Sequence, residues 1–181
     1  EYDRAVRVHE HLLSRGDLGR VDRERAQHAL ALDFLKAGLL DRAEQALQRL
    51  EGTPFEAEAR LALLAIYERS SDWSLAAAIA DKMDRAAQGD FSTRQAHYLC
   101  EQAATLLGKG QTEEARSLLQ RAIATAPHAA RARIDLAAMQ QASGDHAAAF
   151  STLRTMGEAT PAALPLAAAR LAQAASSSQQ P

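Results

Sequence analysis

Aromatic residues make up only 4% of this chain, a shortage that argues against a β-sandwich, whose strands draw on aromatic and β-branched side chains. Cysteine is rarer still. Cys100 stands alone, which excludes a disulfide within the chain and any metal site built from paired cysteines. No run of about 18 apolar residues occurs, so no segment reads as a membrane-spanning helix. Neither charge sign dominates: 21 basic against 23 acidic residues leave a net −2, and nothing in that balance argues for a nucleic-acid partner. No secretory leader pattern opens the sequence, and Glu1 enters in the middle of a helical pattern, as expected of a piece of a longer protein.

Catalytic signatures are missing as well. The histidines are His9, His11, His28, His97, His128 and His146, and no pair has zinc-protease spacing. There is no glycine-rich phosphate loop and no G-x-S-x-G elbow. Cys100 lies within an apolar helical pattern, which predicts a buried, inert thiol. These residues are therefore expected to be non-catalytic and to hold no cofactor or metal.

What the chain has is alanine in abundance and a repeat. Alanine favours helix and lets helix axes approach closely, so the composition predicts an all-α protein. A turn residue is followed five positions later by an anchor alanine, then by apolar residues four and seven further on. Gly38 leads to Ala43, Leu47 and Leu50; Gly110 to Ala115, Leu119 and Ala122; Gly144 to Ala149, Leu153 and Met156. Ser71 takes the glycine's place before Ala76, and Ala5 begins the series. The anchors lie 38, 33, 39 and 34 residues apart, scattered around the 34-residue tetratricopeptide period. The extra residues fall at Arg15–Val21 and Gln88–Ser92, where loops absorb added length at little entropic cost.

The spacing predicts a tetratricopeptide-repeat right-handed superhelical solenoid of antiparallel helix pairs, a single domain over 1–175. It places a half repeat at 1–14, then pairs at 23–37 with 40–52, 55–69 with 73–87, 92–108 with 112–125, and 128–142 with 146–158. A closing helix is expected over 161–175 and a disordered tail over 176–181. The glycines are expected where a helix stops, since glycine accepts positive φ without strain. Pro127 and Pro161 are expected to start the following helices, where a missing N–H is harmless. Trp73 is expected to staple the helices of its pair.

A solenoid of this kind presents a concave groove lined by the first helix of each pair. Counting back from the anchors places Arg25, His28, Leu32 and Lys36 there, then Glu58, Leu61, Ala65, Glu68 and Arg69. His97, Cys100 and Ala104 follow, then Arg131, Ile134 and Gln141. Mixed charge with short aliphatics suits a bound peptide or helix.

Several segments go beyond the repeat consensus. Tyr2-Asp3-Arg4-Ala5-Val6-Arg7-Val8-His9 resembles the D-R-A-I-R-I-H segment of the lipopolysaccharide assembly protein B family, and Ala37-Gly38-Leu39-Leu40-Asp41-Arg42-Ala43-Glu44 resembles its A-G-L-Y-D-R-A-E. Ile66-Tyr67 followed by Asp72-Trp73 and Ala76 resembles its I-Y…E-W…A stretch, and Ala96-His97-Tyr98-Leu99-Cys100-Glu101 resembles A-H-F-Y-C-E. The resemblance implies a repeat domain on the cytoplasmic face of the bacterial inner membrane, with a transmembrane anchor and a rubredoxin-like metal domain outside these residues. It also implies an adaptor that regulates lipopolysaccharide synthesis by bringing the deacetylase LpxC to the membrane protease FtsH and gathers lipopolysaccharide enzymes. Two other expectations stand beside it: the repeat arm of a larger enzyme such as a glycosyltransferase, or an assembly scaffold whose open ends self-associate.

Overall fold

A computed structural model describes residues 2–86, 90–163, 165, 167–169, 172 and 176. Among them the regular elements are helical: α1 (Tyr2–Ser14), α2 (Arg20–Lys36), α3 (Leu40–Gln48), α4 (Glu56–Ser70), α5 (Trp73–Arg85), α6 (Ser92–Gly108), α7 (Thr112–Thr125), α8 (Ala130–Ala142) and α9 (His146–Ala159). The fold is all-α and of the tetratricopeptide-repeat class. The chain falls into two compact units, Glu1–Ile79 and Ala80–Pro181, with the boundary inside α5.

One backbone device ends four of the helices. Gly38, Ser71, Gly110 and Gly144 all have positive φ, at 74°, 58°, 76° and 82°. The residue after each donates its N–H back five positions: Leu39 to Phe34, Asp72 to Tyr67, Gln111 to Leu106 and Asp145 to Gln140, each at 2.9 Å. This is the Schellman arrangement, which satisfies carbonyls left open at a helix end and turns the chain. Only Ser71 performs it with a side chain in the left-handed region, where L-residues are strained.

The anchor alanines Ala43, Ala76, Ala115 and Ala149 are fully buried. A larger side chain at these crossings would force the helices apart. In the first unit Phe34, Leu47, Leu63, Leu64 and Tyr67 are buried, while Ala5 is only half-buried. In the second, Leu99, Ala103, Leu119, Ala122 and Leu136 form one cluster, and Leu153, Met156 and Ala167 gather around Ala137 and Ala149.

Two proline expectations need correction. Pro127 does not begin α8, which starts three residues later. The Ala129 N–H donates to the Ala126 carbonyl at 2.9 Å, so Pro127 sits second in a turn, a position its fixed φ favours. Pro161 opens a 3-10 turn (Pro161–Ala163) rather than a regular helix. The expected closing helix lies partly outside the described residues, as do residues 88 and 89 of the 88–92 insertion and the tail at 177–181.

Candidate functional site

The first unit contributes two neighbouring stripes, one on α2 and one on α4. Arg25 and Lys36 are exposed on α2, with His28 and Leu32 half-buried between them. On α4, Glu58, Leu61 and Ala65 are exposed at helical spacing, followed by half-buried Glu68 and exposed Arg69. Leu61 is 48% exposed, a large apolar side chain in a charged surround. His28 ties the stripes together: its Nε2 lies 3.1 Å from Glu58 Oε2, and its ring stacks on Phe55 at 4.6 Å between centroids, 17° from parallel. Arg25 is 3.8 Å from Asp22. Lys36 and Arg69 make no ion pair among the described residues.

The second unit carries a tighter cluster. Arg131 on α8 donates from Nη1 to Glu101 Oε1 on α6 at 2.7 Å, and from Nε to Asp135 Oδ2 at 3.3 Å. The same Nη1 lies 2.8 Å from His97 Nδ1. A guanidinium has no acceptor, so His97 Nδ1 must accept and the neutral ring carries its proton on Nε2. Burial pulls the Arg131 pKa down, but the Glu101 hydrogen bond and the charges of Glu101 and Asp135 outweigh it and hold the pKa above its usual value. The side chain remains 44% exposed, a fixed cation facing solvent.

Cys100 is buried beside this cluster, not on the groove face. Burial first, then the Asp135 carboxylate, pushes the thiol up to about 11, with Arg131 opposing. The thiol is neutral and a poor nucleophile, as its apolar pattern predicts. Ile134 is half-buried against the Ala137–Leu153 cluster, so it serves the core as much as the face. Gln141 is half-buried and Ala104 exposed.

The structure thus joins His28 to Glu58 and His97 to Arg131, two pairs of residues picked from the sequence. Sequence reasoning passed over Phe55, Glu101 and Asp135. The last two had a signal: each lies four residues after a chosen residue, on the same helix face. No group of three or more potential metal ligands occurs among the described residues, nor any helix long and apolar enough to cross a membrane.

Residues 106–177 match the tetratricopeptide repeat family. Over 155 residues the chain is 31% identical to lipopolysaccharide assembly protein B of Escherichia coli (strain K12), an alignment covering 85% of this chain and 40% of that protein. To the protein of the same name from Haemophilus influenzae it is 32% identical over 162 residues, covering 89% of this chain and 41% of the relative. The chain spans about 40% of the length of the curated relatives it matches. A crystal structure of the MamA protein superposes with a TM-score of 0.50 at 19% identity, over 86% of this chain and 82% of that one, a likeness of fold. The chain is therefore a tetratricopeptide-repeat protein, and its resemblance to the lipopolysaccharide assembly protein B family runs through most of its length.

Proposed function

We propose that this chain is the repeat module of a non-catalytic protein-binding adaptor, working in lipopolysaccharide assembly at the cytoplasmic face of the inner membrane. The observation that carries the reading is Arg131, held as an exposed, oriented cation by Glu101, Asp135 and His97. Such a cation recognises a carboxylate without first losing rotamer freedom. In the first unit, Leu61, on one face of α4 with Glu58 and Glu68, provides apolar contact with charge at its edge. The resemblance to lipopolysaccharide assembly protein B supports a place in lipopolysaccharide assembly. Its specific form is an adaptor that brings LpxC to FtsH, acting by proximity, since tethering raises effective concentration without new chemistry.

The test is the half-life of LpxC in the source bacterium, with and without depletion of the full-length protein. Depletion is expected to lengthen it, and restoration to shorten it. Complementation with Arg25→Glu/Arg131→Glu is expected to fail while helicity by circular dichroism stays unchanged. An LpxC half-life indifferent to depletion removes the proteolytic role and leaves a scaffold for other partners.

A further inference from the structure

On α2, the residues of the proposed peptide face are Arg25, His28, Leu32 and Lys36. At about 100° per residue, Arg23, Gln27, Leu30 and Phe34 form a stripe on the opposite side. That side is not closed. A groove of about 510 Å³ runs between α1 and α3 with α2 as its floor, lined by Leu13, Leu30, Phe34, Ala46, Arg42 and Arg49. A smaller recess of about 190 Å³ shares Leu13, Leu30, Ala46 and Arg49 and extends the groove toward Arg23. The larger part lies within the roughly 300–1,000 Å³ range of binding clefts.

Most equivalent positions of the second unit carry different side chains. Counting from the anchors, Phe34 and Ala46 correspond to Gln140 and Thr152, and the Thr152 hydroxyl donates to Gln140 Oε1 at 2.9 Å, pinning α8 to α9. Leu30 corresponds to Leu136, which is buried, whereas Leu30 is half-buried. Leu13 corresponds to Ile123, which packs against the second unit's core. The apolar lining of this cleft thus comes from side chains particular to the first unit.

Its charge is also distinctive. The chain as a whole is slightly acidic, but the groove is edged by Arg23, Arg42 and Arg49 against the single carboxylate of Glu10. Arg42 lies 4.3 Å above the Phe34 ring while pairing with Glu10, and Arg23 donates to the carbonyls of Leu13 and Arg15. Those two guanidinia are held in place. Arg49 is exposed and has no ion partner among the described residues.

We propose that this groove is a second docking site, for an amphipathic helical segment of a partner protein whose large apolar side chains enter the cleft and whose flanking carboxylates meet Arg49 and Arg42. An apolar floor with a cationic rim selects that combination, and a helix presents leucine and glutamate at the required spacing. The site is independent of the peptide face proposed above.

The probe is a fluorescein-labelled helical peptide with leucines at i, i+3 and i+7 and glutamates between them, together with its lysine counterpart. In anisotropy titrations the glutamate peptide is expected to bind at least about tenfold more tightly than the lysine peptide, and more weakly as salt rises. Arg49→Glu should weaken binding by a similar factor and leave the melting curve unchanged, while Arg69→Glu, on α4, should leave binding as it is. Amide shifts should centre on Leu13, Leu30 and Ala46. Equal affinity for both peptides, no effect of Arg49→Glu, or shifts centred on Glu58 and Leu61 would overturn the proposal. So would binding confined to phosphatidylglycerol vesicles, which would make the groove a lipid-facing surface.

Discussion

The two units place different chemistry in one repeat frame. In the second, neighbouring first helices are joined by a charged network around Arg131, and the cleft behind them is bridged by Thr152 and Gln140. In the first, the imidazole–carboxylate contact of His28 with Glu58 joins the equivalent helices, and a cleft lies behind them beside Phe34 and the Arg42 that covers its ring. The backbone turns are the same; the side chains decide which surfaces are shut. A repeat thus fixes where helices go and leaves each pair free to become a core or a recess.

The widest way to test that contrast is to damage each core separately. Leu64→Ala in the first unit and Leu119→Ala in the second each remove a fully buried side chain and should cost about 2–5 kcal/mol. Hydrogen exchange is expected to show amide protection falling first in the unit that carries the change. Simultaneous, equal loss in both would mean the units unfold as one.

Alkaline pH should weaken both units, the second through Cys100 and the first through Tyr67, whose phenol is also pushed up by burial and its hydrogen bond to Glu44. The folded Cys100 thiol sits at about 11 against an ordinary value of 9.0, so the unfolded chain loses its proton first. The stabilisation is full below pH 9 and declines as pH rises toward 11. Urea midpoints across that range should fall for the native sequence and more gently for Cys100→Ala.

The shared turns allow a finer comparison. A Cβ at Gly110 would meet nothing within 4 Å, so Gly110→Ala is penalised by its φ of 76° alone, about 1–2 kcal/mol. Ser71 already bears that strain at φ 58°, and Ser71→Gly should recover about 0.5–1 kcal/mol, less whatever unfolded-state freedom glycine adds. Thermal melts of both variants check opposite signs at equivalent positions. Smallest in energy is Arg131→Ala, expected to cost no more than about 1 kcal/mol because solvent screens a guanidinium this exposed. Its clearer signature is spectroscopic: nitrogen shifts of His97 should change from one fixed tautomer to an exchanging mixture.

The turns were legible because they depend on neighbours in sequence. Gly38, Gly110 and Gly144 announce a backbone conformation that few other residues accept, and even Ser71 could be placed by the period. The buried anchor alanines follow from the same spacing. Pro127 was misjudged because a proline three residues before a helix and one at its first turn look alike until the turn hydrogen bond is seen. Of the site, the sequence identified His97 and Arg131 but not Glu101 or Asp135, because bonding between α6 and α8 depends on how two helices separated by a third are brought side by side. The cleft over Phe34 left no sequence signal of its own. It arises from side chains that do not quite meet, and an unfilled volume has no motif.

Trp73 gives the protein a built-in optical probe. It is the only tryptophan in the chain, it opens α5, and it stands two residues past the strained Ser71, half-buried. Emission excited near the red edge therefore comes from one indole at one turn. Its colour and quenching by iodide would report, without any label, whether that turn opens when a partner arrives.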